Sequence, residues 1–234
     1  MSRRDEIAAN LETVRGRIAS ACADAGRAPD DVHLVVVTKF FPSSDVRLLA
    51  DLGVTDVGEN RHQEAEAKAA ECADLGLAWH FIGGLQSNKA AAVASYADVV
   101  ESVDRPKLVG PLARGAHQRS HELDVLLQVS LDPPGGGHQG RSGADPDRLA
   151  ALAASVRDAG ALRLRGLMAV APLGADPAPA FERLAVVRRE FLADHPDATW
   201  LSAGMSADLE HAVRAGATHV RIGSAVLGSR PRFK

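Results

Sequence analysis

The chain carries only two cysteines in 234 residues, Cys22 and Cys72, set in helical patterns without ligand-like spacing. Two thiols cannot complete a zinc site, and a cytosolic disulfide is not expected, so both read as packed thiols. No apolar stretch approaches the ~20 residues that cross a bilayer. The opening Met-Ser-Arg-Arg-Asp-Glu has no apolar signal core behind it. A cytoplasmic protein without a membrane partner is therefore expected. An excess of positive charge is also missing: the net charge of −3 argues against nucleic acid as the main partner, which needs a clustered basic field. Tyrosine occurs once, at Tyr96, and lysine five times against twenty-two arginines. No GxGxxG follows the first apolar run, which counts against a dinucleotide-binding sheet.

What is present is enough apolar material for a core, 46% hydrophobic against 24% charged residues. The first segment, residues 1–27, reads as a helix. Ser2 and Asp5 form a capping box, Ile7, Leu11, Val14 and Ile18 share one face, and Gly26 with Pro29 ends it. Strand-like runs then recur at 32–39, 56–59, 79–83, 98–103, 124–131, 163–170, 199–203 and 219–223. Helical patterns lie between them, among them 44–52, 61–75, 147–159, 180–194 and 207–215. Eight βα units in this length predict a single closed (β/α)8 TIM barrel, of class α/β, with the additional N-terminal helix packed on it. An open doubly wound sheet is the alternative. No linker or shift of composition divides the chain, so one domain over 1–234 is expected.

Lys39 closes the run Val32-His-Leu-Val-Val-Val-Thr-Lys39, which has the valine-rich character of a parallel strand covered on both faces. A lysine delivered to the end of such a strand is partly desolvated. Desolvation favours the neutral amine, the form that makes Schiff bases with aldehydes. The plain reading is an amine snorkelling to water. The other lysines, Lys68, Lys89, Lys107 and Lys234, fall in polar helical segments, at a helix start or in the tail.

Two turns offer an anion site: Ser202-Ala-Gly204-Met205-Ser206 after the seventh strand and Arg221-Ile-Gly223-Ser224 after the eighth. Barrels often bind phosphate in these two places. Glycine lets main-chain amides come close, and each serine adds a hydroxyl; as plain N-caps the serines would need no ligand. Arg221 alternates with Val220 and Ile222, so it faces the opposite side from both. Inside the barrel it would need an acceptor, such as a ring nitrogen or a carboxylate; Glu59 and Glu101 are candidates. The glycine-rich stretch 133–143 contains Gly135-x-x-x-x-Gly140-Arg141-Ser142, one residue short of a phosphate-binding P-loop. Arginine in place of the lysine, and a helix start delayed by Asp145-Pro146, argue against nucleotide hydrolysis and for a glycine-rich loop.

Taken together, Thr38-Lys39, Gly58-Glu59-Asn60 with Gln63-Glu64, Trp79-His80-Phe81-Ile82-Gly83 with Leu85-Gln86-Ser87-Asn88-Lys89, Arg165-Gly166-Leu167-Met168, Leu201-Ser202-x-Gly204-Met205-Ser206-x-Asp208 and Val220-Arg221-Ile222-Gly223 resemble the YggS/PROSC family. These are the pyridoxal phosphate homeostasis proteins, related to the N-terminal domain of alanine racemase. The resemblance runs along nearly the whole chain in family order. It implies a barrel with pyridoxal 5′-phosphate (PLP) held as a Schiff base on Lys39. It implies that Ser206, Gly223 and Ser224 hold the phosphate beside Met205, that Arg221 faces the pyridine nitrogen, and that Asn60 lies near the ring. Gly84 stands where proline or a polar residue is common in the family, and Ser224 where threonine is common; Ser224 keeps the hydroxyl.

Two functions follow. One is reversible holding of PLP for buffering or delivery to apo PLP-dependent enzymes, by a monomer without catalysis. The other is a PLP-dependent amino-acid racemase, which needs a second base opposite Lys39. Tyr96, expected in a helix before the fourth strand, and His80 are the candidates for that base. An arginine against the pyridine nitrogen weakens the cofactor as an electron sink and disfavours transamination and decarboxylation. A Schiff-base aldolase on a similar barrel is a third reading, one that needs neither Arg221 nor PLP.

Overall fold

The computed structural model describes residues 1–119, 122–132, 142–172, 174 and 176–229. The chain runs α1 (Arg3–Asp24), β1 (His33–Val37), α2 (Ser43–Asp51), β2 (Asp56–Glu59), α3 (His62–Glu71), β3 (Ala78–Phe81), α4 (Ala90–Ala94) and β4 (Val99–Val103). It continues through α5 (Val109–Gln118), β5 (Leu123–Val129), α6 (Leu149–Asp158), β6 (Leu162–Ala169), α7 (Ala178–Asp194), β7 (Trp200–Ser202), α8 (Leu209–Arg214), β8 (His219–Ile222) and α9 (Ser224–Leu227). The strands pair in chain order, all parallel, and β8 closes on β1 with Val36 opposite Ile222. The architecture is the expected (β/α)8 barrel. No described helix is long and apolar enough to cross a membrane.

Several boundaries differ from those expected. The run 32–39 stops being strand at Val37, because Thr38 turns its hydroxyl to Glu59 and the chain enters a turn at Lys39. The helix expected over 61–75 ends at Glu71 and is followed by a separate short turn that closes on Gly76 at φ 63°. The helix expected from Ala207 starts at Leu209, because the Asp208 carboxylate reaches back to the Met205 N–H at 2.6 Å. Tyr96 lies in the turn after α4, not in a helix.

Helix α1 begins with the capping box of Ser2 and Asp5 and buries Ile7, Leu11, Val14 and Ile18, the face its periodicity marked. These residues join β1, β2 and β8 in one apolar cluster that contains Val36, Val57, Val220 and Ile222. A second cluster lies under α4 to α7 and takes Val100, Leu127, Leu167 and Leu201. Both clusters use alternate strand residues, those that face the helices. The residues between them point into the barrel. At β6 the approach of β7 is so close that a Cβ on Gly166, at φ 151°, would lie 1.9 Å from the Trp200 carbonyl oxygen. Only glycine can occupy that position.

The barrel interior is unusually polar. His80 on β3 bonds through Nδ1 to Glu101 on β4 at 2.8 Å and through Nε2 to Asp56 on β2 at 3.0 Å. The Ser202 hydroxyl donates to the other Glu101 oxygen at 2.6 Å and accepts from Arg221 Nη1 at 2.6 Å. Arg221 Nη2 donates to the Ala169 carbonyl at 2.9 Å. His80, Glu101, Ser202 and Arg221 are all buried. Burial opposes charge on the His80 ring, but the bonds to Asp56 and Glu101 outweigh it and raise its pKa to about 9. Burial alone would raise both carboxyls, yet the His80 bond leaves each below its ordinary value. The column therefore carries two cations and two anions at neutral pH. Beneath it, His219 stacks on His33 with centroids 5.0 Å apart and meets the tilted Trp200 ring at 4.5 Å. Burial holds His219 neutral, with a pKa near 4.

Two outcomes follow from this packing. Gly166→Ala should lower stability by more than ~3 kcal/mol, as a disallowed φ and an overlap combine. Gly160→Ala, at φ 72° with open space around it, should cost only about 1 kcal/mol; thermal denaturation of the two variants checks the contrast. The raised pKa of His80 is worth stability that is complete below its unfolded value of 6.5 and is lost as pH rises through about 9. The melting temperature should therefore fall across that interval. His80→Gln should melt lower at pH 6.5 and lose the part of the decline that His80 supplies. Parallel curves for wild type and variant would contradict the charged assignment.

Candidate functional site

The carboxyl ends of the strands hold the residues singled out in the sequence. β1 points Val35 and Val37 into the barrel and Thr38 away from it, and then carries the half-buried Lys39 to the barrel mouth. The next residue, Phe40, takes φ 70°, a conformation that bulky side chains rarely adopt. Its N–H donates to Glu64, and the Arg61 guanidinium sits over its ring at 5.1 Å.

Behind this turn lies a group of charges that periodicity did not reveal. Lys68 of α3, read from the sequence as part of a polar helix, is only 6% exposed. Its Nζ donates to the Thr38 carbonyl at 2.8 Å, to Glu59 at 2.8 Å and to Glu64 at 2.6 Å. The Thr38 hydroxyl donates to the same Glu59 oxygen at 2.6 Å. Burial pushes the Glu59 carboxyl up despite Lys68 and Thr38. This cluster fixes the main chain on both sides of Lys39. The only sequence signal for it was the Glu64–Lys68 pair, four residues apart on one helix.

Asn60 follows β2 and is clamped there: a Cβ on Gly83 would lie 2.1 Å from the Asn60 carbonyl oxygen. After β7, Met205 and Ser206 form a half-buried loop that Asp208 ties at the Met205 N–H. The Arg221 N–H holds the same loop through the Gly204 carbonyl at 2.9 Å. Gly223 and Ser224 lie where β8 passes into α9, one and two residues beyond the pairing of Val36 with Ile222. Arg221 faces inward, opposite to Val220 and Ile222, the side its alternation had left open. Of its two candidate partners the structure selects Glu101, at 3.7 Å; Glu59 faces the helices and binds Lys68. Burial lowers the Arg221 pKa and Glu101 works against that; an arginine so placed remains a cation.

Lys39, Asn60, Met205, Ser206, Arg221, Gly223 and Ser224 thus gather on four consecutive staves of the barrel, β7, β8, β1 and β2. The donor set is an amine, two hydroxyls, main-chain amides and one fixed guanidinium. That set suits an aldehyde, a phosphate and an aromatic nitrogen on one small molecule. Across the mouth, a cavity of about 140 Å³ is lined by residues including Ile82, Gly84, Gln128, Ser142 and Met168. Gln128 donates to the Ser142 carbonyl at 2.8 Å. Residues 133–141, with most of the glycine-rich stretch and its P-loop-like spacing, lie outside the described residues.

Neither candidate for a second base is suited to the task. His80 is protonated at neutral pH and locked between two carboxylates. Tyr96 lies behind the sheet, stacked on His62 with centroids 5.9 Å apart, and burial raises its pKa.

Residues 3–231 match the family described as "Alanine racemase, N-terminal domain". The chain is 43% identical to the pyridoxal phosphate homeostasis protein of Pseudomonas aeruginosa, with 96% of each chain covered. It is 37% identical to the protein of the same name from Escherichia coli, over 98% of this chain and 99% of that one. Among solved structures it superimposes on PipY of Synechococcus elongatus, described with PLP bound, with TM-score 0.81, 35% identity, and 95% and 100% of the two chains covered. An alanine racemase from Clostridium difficile shares the fold at TM-score 0.71 and 14% identity, and this chain covers 57% of its length. The chain belongs to the alanine racemase N-terminal domain family and, within it, to the pyridoxal phosphate homeostasis proteins.

Proposed function

We propose that this protein binds pyridoxal 5′-phosphate and serves PLP homeostasis, holding the cofactor reversibly for buffering or delivery. The observation that carries the reading is the juxtaposition at the mouth. The end of β1 brings an amine beside the two serine turns of β7 and β8, and a buried arginine stands between them. PLP supplies an aldehyde that condenses reversibly with an amine. Lys39 is the residue to provide that amine, and the Lys68 cluster holds its main chain in place. Ser206, Gly223 and Ser224 hold the phosphate through hydroxyls and main-chain N–H groups, with Met205 and Asn60 lining the site. Arg221 meets the pyridine nitrogen with a permanent cation, which disfavours protonation there and leaves the ring a weak electron sink.

The same features argue for a carrier over a racemase. Racemisation needs a proton acceptor on each face of the substrate carbon. His80 is spent on the interior charge column, and Tyr96 is spent on packing between helices. The partners of this function are PLP and apo PLP-dependent enzymes, met by a monomer in the cytoplasm.

Incubation with PLP should give a yellow protein whose absorption band is fixed by borohydride reduction. Lys39→Ala should fail to give the same trapped adduct, as mass spectrometry of the peptide around residue 39 will show. A colourless wild type after incubation would overturn the cofactor assignment. With alanine or another small amino acid, the loaded protein should interconvert enantiomers no faster than free PLP, read by chiral chromatography. Faster turnover would replace the carrier with the racemase.

A further inference from the structure

Helix α1 carries three polar side chains, Arg3, Asn10 and Arg17, spaced seven residues apart. Seven residues are close to two helical turns, so the three share one stripe. Each reaches a main-chain carbonyl more than 180 residues away in the chain. Arg17 Nη1 donates to the Ser206 carbonyl at 3.0 Å. Asn10 Nδ2 donates to the Val226 carbonyl at 2.9 Å, and Arg3 Nη2 to the Leu227 carbonyl at 2.9 Å. The first acceptor is in the loop after β7, and the other two are in the single helical turn after β8. Those are the two segments that carry Ser206 and Ser224. The arginines are themselves fixed: Arg17 grips Glu210 with bonds of 2.8 to 3.0 Å, and Arg3 is held by Asp45 at 2.7 Å and Glu6 at 2.9 Å. Beside the stripe, Ile7, Leu11, Val14 and Ile18 anchor the helix in the core. A rigid rod thus spans both loops from outside, in addition to the bond from the Arg221 N–H to the Gly204 carbonyl.

We propose that Arg3, Asn10 and Arg17 are positioning residues of the phosphate site. By fixing the spacing of the two serine loops, α1 sets the preference for a phosphorylated ligand over its unphosphorylated counterpart. The inference rests on the reading that these loops hold the phosphate of PLP. A purely structural role would weaken all ligands together. A positioning role weakens the phosphate contact and spares the reaction of Lys39 with an aldehyde.

The test titrates the full chain with PLP, with pyridoxal, which has the aldehyde and ring without phosphate, and with inorganic phosphate as a competitor. Arg17→Met and Asn10→Ala should each weaken PLP about tenfold, the scale of one lost hydrogen bond to a site, and leave pyridoxal within about twofold. Inorganic phosphate should compete less well against PLP in both variants, and Arg17→Lys should recover part of the loss. Arg15→Met is the control. Arg15 lies on the same helix but reaches the Leu52 and Gly53 carbonyls, away from both loops, and its loss should leave the PLP-to-pyridoxal ratio unchanged. Equal losses for PLP and pyridoxal, or a shift in Arg15→Met as large as in Arg17→Met, would overturn the proposal. A wild-type protein that binds pyridoxal as tightly as PLP would instead remove the phosphate assignment, and the brace with it.

Discussion

Inside this barrel the controlling constraint is the neutralisation of buried charge. Placing Arg221 in the interior requires a counter-ion, and Glu101 supplies it. Glu101 in turn is one of two carboxylates that keep His80 protonated. Removing any one member leaves an uncompensated charge where water cannot reach, a penalty of several kcal/mol. The four groups come from β2, β3, β4 and β8, with Ser202 of β7 bridging and a β6 carbonyl accepting. The network therefore draws on six of the eight strands and ties barrel closure to the orientation of one guanidinium.

A second cluster does the same for the amine. Lys68, Glu59, Glu64 and Thr38 lie on the helix side of the sheet and hold the turn that contains Lys39 and the left-handed Phe40. A non-glycine residue at positive φ persists only where its surroundings over-determine it, and the Glu64 bond to the Phe40 N–H is such a restraint. The two clusters sit on opposite faces of one sheet. One orients the cation expected to meet the cofactor's nitrogen, and the other orients the amine expected to hold its aldehyde. Helix α1 completes the frame from outside by joining the loops of β7 and β8.

The division of labour leaves neither the interior histidine nor the tyrosine available at the mouth as a proton acceptor. The histidine in the interior is committed to charge balance, and the lone tyrosine is committed to packing against His62. What remains at the mouth is an amine, hydroxyls, amides and a permanent cation.

Local pattern alone marked eight strands, the capped first helix with its buried face, the placing of Arg221 on the opposite side from Val220 and Ile222, and the glycine–serine turns. Each of these depends on neighbours within a few residues: period-2 and period-3.6 alternation and the geometry of single turns. The family motifs named the aldehyde that Lys39 is expected to meet. What the chain could not disclose locally was pairing. Glu59 and Glu101 were equal candidates for Arg221 until barrel closure put one inside and the other against α3. Lys68 read as one more polar helical residue until β2 and the Lys39 turn enclosed it. His80 read as a candidate base until Asp56 and Glu101 arrived from neighbouring strands and charged it. Sequence alone determined the elements and the chemistry each could offer. Only the tertiary structure decided which charges meet, because burial and counter-ion choice are set by strands that closure of the barrel brings side by side.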